Sequence, residues 1–175
     1  MRMHDLDGNR PNALLWHLWE TASNRLHAAS ALLDDEHELL ATLSPPERAA
    51  YLLGHLLSQI RNGGWSQWVF NDYAVRLRET REAAAAIGTN FSKRVVRMLD
   101  KLEPLLKWDD EDGGRGGRDW VMTPEQQEDR DWDRPVVTAG EKLCEKLDDR
   151  FDDIDQAWEL EINAWLSKGA PGLTD

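Results

Sequence analysis

Apolar residues in this chain recur at steps of three, four and seven, and no other feature restricts the fold as much. Leu15, Trp19, Ala22, Leu26 and Leu33 follow Pro11, a residue suited to a first helical turn. Leu39, Leu40 and Leu43 point to a short second helix. Behind the S-P-P-E of residues 44–47, Leu53, Leu56, Leu57 and Ile60 make a buried stripe. That tetrapeptide has capping-box spacing, with prolines where a first turn tolerates them. The helix-forming run from Ala74 to Ile87 meets Gly88, where a C-terminal glycine would end it. Thr89 or Asn90 then caps a helix stepping through Val95, Leu99, Leu102 and Leu106. The period returns at Leu143, Leu147 and Phe151, and again at Ile154, Trp158, Ile162 and Trp165. No convincing strand alternation and no internal repeat competes with it. The predicted class is all-α, one compact domain of six to eight helices.

The period fails between Asp109 and Val137. DDEDGGRGGRD at 109–119 is acidic, glycine-rich and aperiodic, which predicts a flexible loop. The chain therefore divides into N-terminal helices over 1–43, a core over 44–108, an insertion over 109–137 and acidic C-terminal helices over 138–168. At 175 residues with nine tryptophans, it is long enough to bury a single core. One cysteine, Cys144, precludes an intramolecular disulfide and fits a reducing compartment. No apolar run approaches the roughly 20 residues of a membrane span, so a soluble cytoplasmic protein is expected.

Charge is the stronger clue to function. Residues 1–99 hold 11 acidic and 11 basic side chains, whereas residues 100–175 hold 22 and 10, so the net charge of −12 arises entirely in the second part. On a helix over 139–150, Glu141, Glu145, Asp148, Asp149 and, if the helix continues, Asp152 fall on one stripe at steps of three and four. On the next helix Asp152, Asp153, Asp155, Glu159 and Glu161 lie away from Ile154, Trp158, Ile162 and Trp165. Like charges one turn apart destabilise a helix by a few tenths of a kcal/mol each, a cost that suggests the field is used. Carboxylates one turn apart are separated by about 6 Å along the axis, of the order of the phosphate spacing on a nucleic-acid strand. The candidate partner-binding set is Glu141, Glu145, Asp148, Asp149, Asp152, Asp153, Asp155 and Glu159. A solvated acidic face that merely aids solubility is the plainer alternative.

Catalytic and metal chemistry find little support. His4, His17, His27, His37 and His55 show no close ligand spacing, and Cys144 has no partner cysteine. Neither a metal nor another cofactor is expected. Cys144 sits beside Leu143 on a carboxylate-crowded helix, surroundings that raise a thiol pKa. GGRGGR at 113–118 is flanked by acids and followed by no G-K-[ST], so it reads as a linker and no direct nucleic-acid binding is expected.

One stretch, NGGWSQWVFN at 62–71, needs its own explanation. Its glycine pair should end one helix, with Trp65 and Trp68 pinning the next to the core. Asn62, Gln67 and Asn71 should bond backbone groups left orphaned at helix ends. On this reading Asn62, Gly63, Gly64, Trp65, Gln67, Trp68 and Asn71 form a structural motif. The rival reading makes the amides the lining of a polar pocket.

The stretch from Leu43 to Leu106 resembles a bacterial family of helical domains that includes a DNA-mimic protein, the DNA-mimic protein nineteen family. LSPPERAAYLLGHLLSQIRNGGWSQWVFN and a helix ending in AAAAIG carry the likeness, with a fainter echo in LDDRFDDIDQAWELEINAWL at 147–166. Two features depart from the family text: Arg61, where asparagine is frequent, and the insertion at 109–137. The resemblance implies an all-α fold and an acidic surface that competes with DNA for a DNA-binding protein, in the known case a helix-turn-helix regulator. Charge and resemblance together point to a non-enzymatic acidic interaction protein that masks a basic partner. The alternatives are an immunity protein or antitoxin against a basic toxin, and an enzyme with a pocket at the NGG turn. A homodimer is compatible with each.

Overall fold

The computed structural model describes residues 13–29, 36–108, 117–120 and 138–173. Among them are seven α-helices: α1 (Ala13–Ala29), α2 (Glu36–Ala41), α3 (Pro45–Phe70), α4 (Leu77–Ile87), α5 (Asn90–Leu102), α6 (Ala139–Asp152) and α7 (Asp155–Leu166). The all-α expectation holds, with one addition. β1 (Leu106–Trp108) and β2 (Gly117–Trp120) pair antiparallel, Leu106 opposite Trp120 and Lys107 opposite Asp119. Strands of three and four residues are too short to show a period-two pattern, so β2 emerges inside a stretch expected to be loop. The rest of that expected flexible insertion, 109–116 and 121–137, lies outside the described residues, as do Pro11 and Leu33.

The helix boundaries follow the local chemistry. At the start of α3 the Glu47 carboxylate accepts from the Ser44 N–H at 3.0 Å, closing the capping box. Gly88 ends α4 with φ of 73°, and the Thr89 hydroxyl accepts from Ser92 N–H at 3.3 Å to start α5. The run before α4 begins differently from a continuous helix, as a single 3-10 turn over Tyr73–Arg76.

α3 is the central element. Leu53, Leu56, Leu57, Trp65 and Trp68 on it are fully or almost fully buried, together with Leu15 of α1, Leu77 of α4, Leu99 of α5, Phe151 of α6 and Trp158 of α7. Trp65, Phe151 and Trp158 form an edge-to-face chain with successive centroids 5.9 Å apart, joining α3, α6 and α7. Each such pair adds about 0.5–1.5 kcal/mol beyond the area it buries. A smaller cluster of Ala22, Leu26, Leu39, Leu40, Leu43 and Leu52 closes the other side of α1 and α3. His55 lies against Trp19 and Tyr51 and stacks on Tyr73 at 4.4 Å, and burial pushes its pKa down to about 4. None of the described helices is long and apolar enough to cross a membrane.

Candidate partner-binding surface

The NGG motif and the acidic helices meet in space. At Gly63 and Gly64 the helical dihedrals of α3 break, with Gly64 at φ 78° and ψ −176°, a conformation essentially reserved for glycine. The break exposes the Trp65 N–H, and the Asp148 carboxylate of α6 accepts from it at 2.8 Å. A Cβ at position 64 would come within 2.5 Å of the same carboxylate. Glycine is therefore needed twice, for the backbone and for the approach of α6. Trp65 and Trp68 are buried in the core.

Its amides are used differently from the expectation. Gln67 and Asn71 donate through their side-chain nitrogens to the Gln59 side-chain carbonyl at 2.9 and 2.7 Å, and Asn62 is exposed. The orphaned Trp65 N–H is satisfied by Asp148 instead, while the Gln67 side-chain amide lies against Gly63. A cavity of about 150 Å³ beside the motif takes Trp68 and Asn71 from it, with Tyr51, His55, Tyr73 and Arg76, but neither Asn62 nor Gln67.

Arg61, one residue before the motif, clamps α7. Its guanidinium lies 2.8 Å from Asp155 and 2.6 Å from Glu159, and sits 5.9 Å above the Trp16 ring. Glu159 also accepts from Trp16 Nε1 at 2.6 Å and is only 4% exposed. Nothing in the sequence pattern signals this, since the partners stand more than ninety residues apart. Glu141 is engaged too: its carboxylate accepts from Thr138 N–H at 2.6 Å in a capping box at the start of α6. The T-x-x-E spacing at 138–141 carries that signal, which a reading for charge stripes passes over.

Four of the eight candidate acids thus serve the fold, and Glu145, Asp149, Asp152 and Asp153 remain. All four are exposed, and none joins an ion pair among the described residues. They follow the stripe of Asp148, whose pKa is raised first by burial and then by the charges of Asp152, Asp149 and Glu145, against the opposing effect of the Trp65 N–H. The next face of α6 carries Lys142, Lys146 and Arg150, also exposed. The helix is therefore divided lengthwise into an acidic and a basic edge. Burial pushes the Cys144 thiol up to about 12, so it behaves as a small apolar core group. Among the described residues no group of three or more His, Cys, Asp or Glu side chains could hold a metal ion.

The profile of the DMP19-like protein family matches residues 41–169, which spans α3 to α7 and includes the NGG turn and the acidic helices. The chain belongs to the DMP19-like protein family. Comparison with curated proteins and with solved structures returns no match. Within the matched stretch Arg61 makes the clamp on α7, and β2 falls inside residues 109–137 and pairs with β1 just before them.

Proposed function

We propose that this DMP19-like protein is a non-enzymatic cytoplasmic inhibitor that covers the DNA-binding surface of a basic protein with the acidic edge of α6. The observation that carries the reading is the row of Glu145, Asp149, Asp152 and Asp153. These acids have no partner in the fold among the described residues, yet Glu145, Asp149 and Asp152 stand on α6, with Asp153 just past its end, and α6 is fixed to α3 through Asp148. Fixed charges at one-turn spacing of about 6 Å suit a groove shaped for phosphates better than mobile ones do, because no side-chain-bearing element has to be ordered on binding. Lys142, Lys146 and Arg150 limit the acidic field to one edge, so the partner's basic groove is narrow and lies along the helix. An immunity protein against a basic nuclease would use the same edge.

Affinity capture with wild type and with a variant carrying lysine at Glu145, Asp149, Asp152 and Asp153 tests the reading. Wild type should retain a basic protein that elutes steeply with salt, and the variant should retain none. DNA bearing the partner's site must displace this protein. A stable ternary complex of partner, DNA and this protein contradicts mimicry.

A further inference from the structure

α5 and α6 enclose a groove of opposite character, which the acidic reading of this chain leaves unexplained. Arg94, Arg97 and Lys101 of α5 and Arg150 of α6 line an open groove of about 310 Å³, with the buried Met98 beneath them. Lys93 lies on the same face of α5, one turn from Arg97. None of these cations joins an ion pair among the described residues. Asp100, the one acid in α5, is paired with Arg81 instead. Arg94 is held in place by donating to the Arg150 carbonyl at 3.5 Å, which ties the two walls together.

In a chain with 33 acidic and 21 basic side chains, gathering unpaired cations on one groove is costly, since Lys93 with Arg97 and Arg97 with Lys101 are like charges one turn apart. A bound anion offsets that repulsion. Guanidinium groups suit phosphate in particular, because their forked donors match two oxygens at once. The acidic edge of α6 lies on the far side of Lys142, Lys146 and Arg150, so an extended polyanion would run into Glu145 and Asp149. The geometry points to a binding site for a compact anion carrying two or more adjacent phosphates, seated between Arg94, Arg97, Lys101 and Arg150. The site is separate from the acidic edge and does not depend on the inhibitor reading.

Calorimetric titration with inorganic tripolyphosphate at constant ionic strength tests it without any protein partner. Saturable one-to-one binding is expected. It should weaken by about tenfold or more in Arg97→Gln/Lys101→Gln, and by a similar amount in Arg150→Gln on the opposite wall. Arg97→Lys/Lys101→Arg should keep binding, and Lys168→Gln, remote in sequence on the C-terminal turn, should leave it unchanged. Circular dichroism confirms that each variant remains helical, and the two walls report independently if one variant does not fold. Absence of saturable binding overturns the proposal, as does equal weakening in Lys168→Gln. Tighter binding of a short DNA duplex than of tripolyphosphate would also overturn it, in favour of a nucleic-acid surface.

Discussion

On the inner edge of the α6–α7 pair, Glu141, Asp148, Asp155 and Glu159 each meet a donor: the Thr138 and Trp65 amides, and Arg61. On the outer edge Glu145, Asp149, Asp152 and Asp153 meet none among the described residues. The two sets are the same residue types in one stretch of chain, with Glu141, Glu145, Asp148, Asp149 and Asp152 interleaved on α6. For the proposed inhibitor, what matters is which carboxylates the fold leaves without a partner, and of the eight candidates the outer four are left so among the described residues.

The comparison is broken most severely at Glu159. Glu159→Ala leaves Arg61 and Trp16 Nε1 without their shared acceptor and should cost about 3 kcal/mol in chemical denaturation. Arg61→Ala combined with it should add far less than its own single effect, because one interaction is lost in both. Full additivity would mean that the clamp contributes little.

Gly64→Ala comes next, at about 2–3 kcal/mol, since φ of 78° strains an alanine and its Cβ meets the Asp148 carboxylate. Gly88→Ala at φ 73° has nothing within 4 Å and should cost about 1 kcal/mol. Equal losses would show that the approach of α6 imposes no constraint on the glycine.

Asp148 is the sharper case. Asp148→Ala orphans the Trp65 N–H and should cost about 1–2 kcal/mol, whereas Asp148→Asn keeps an acceptor and should stay within about 0.5 kcal/mol at neutral pH. The pH dependence gives an independent readout. The folded chain raises the Asp148 pKa, so this group favours folding below the unfolded value of about 3.9 and loses that contribution as pH rises through the folded value. The stability of Asp148→Asn relative to wild type should therefore increase between about pH 4 and pH 7. A flat or falling difference would place Asp148 with the favourably held carboxylates.

How much of this was legible in sequence follows from the range of each interaction. The caps at Ser44, Gly88 and Thr89 act within four residues, so local spacing reveals them. The break at Gly63–Gly64 and the burial of Trp65 and Trp68 are equally local. The amides of Gln67 and Asn71 converge on Gln59, across the break and 8 and 12 residues back, where helical spacing no longer predicts neighbours. Arg61 reads as an anomaly in the motif until α7 is folded against it. The acidic stripe was legible as a pattern, but its division into inner and outer members depends on which face α3 covers. The basic edge of α5 was hidden by the neutral balance of residues 1–99, which averages it against acids elsewhere.

The most direct test of that division neutralises the outer set alone. Glu145→Gln, Asp149→Asn, Asp152→Asn and Asp153→Asn together should leave the denaturation midpoint unchanged or higher at low salt. A gain of a few tenths of a kcal/mol per relieved repulsion should shrink as salt screens it. A loss comparable to that of Glu159→Ala would contradict the account, because the outer carboxylates would then be holding the fold instead of standing free for a partner.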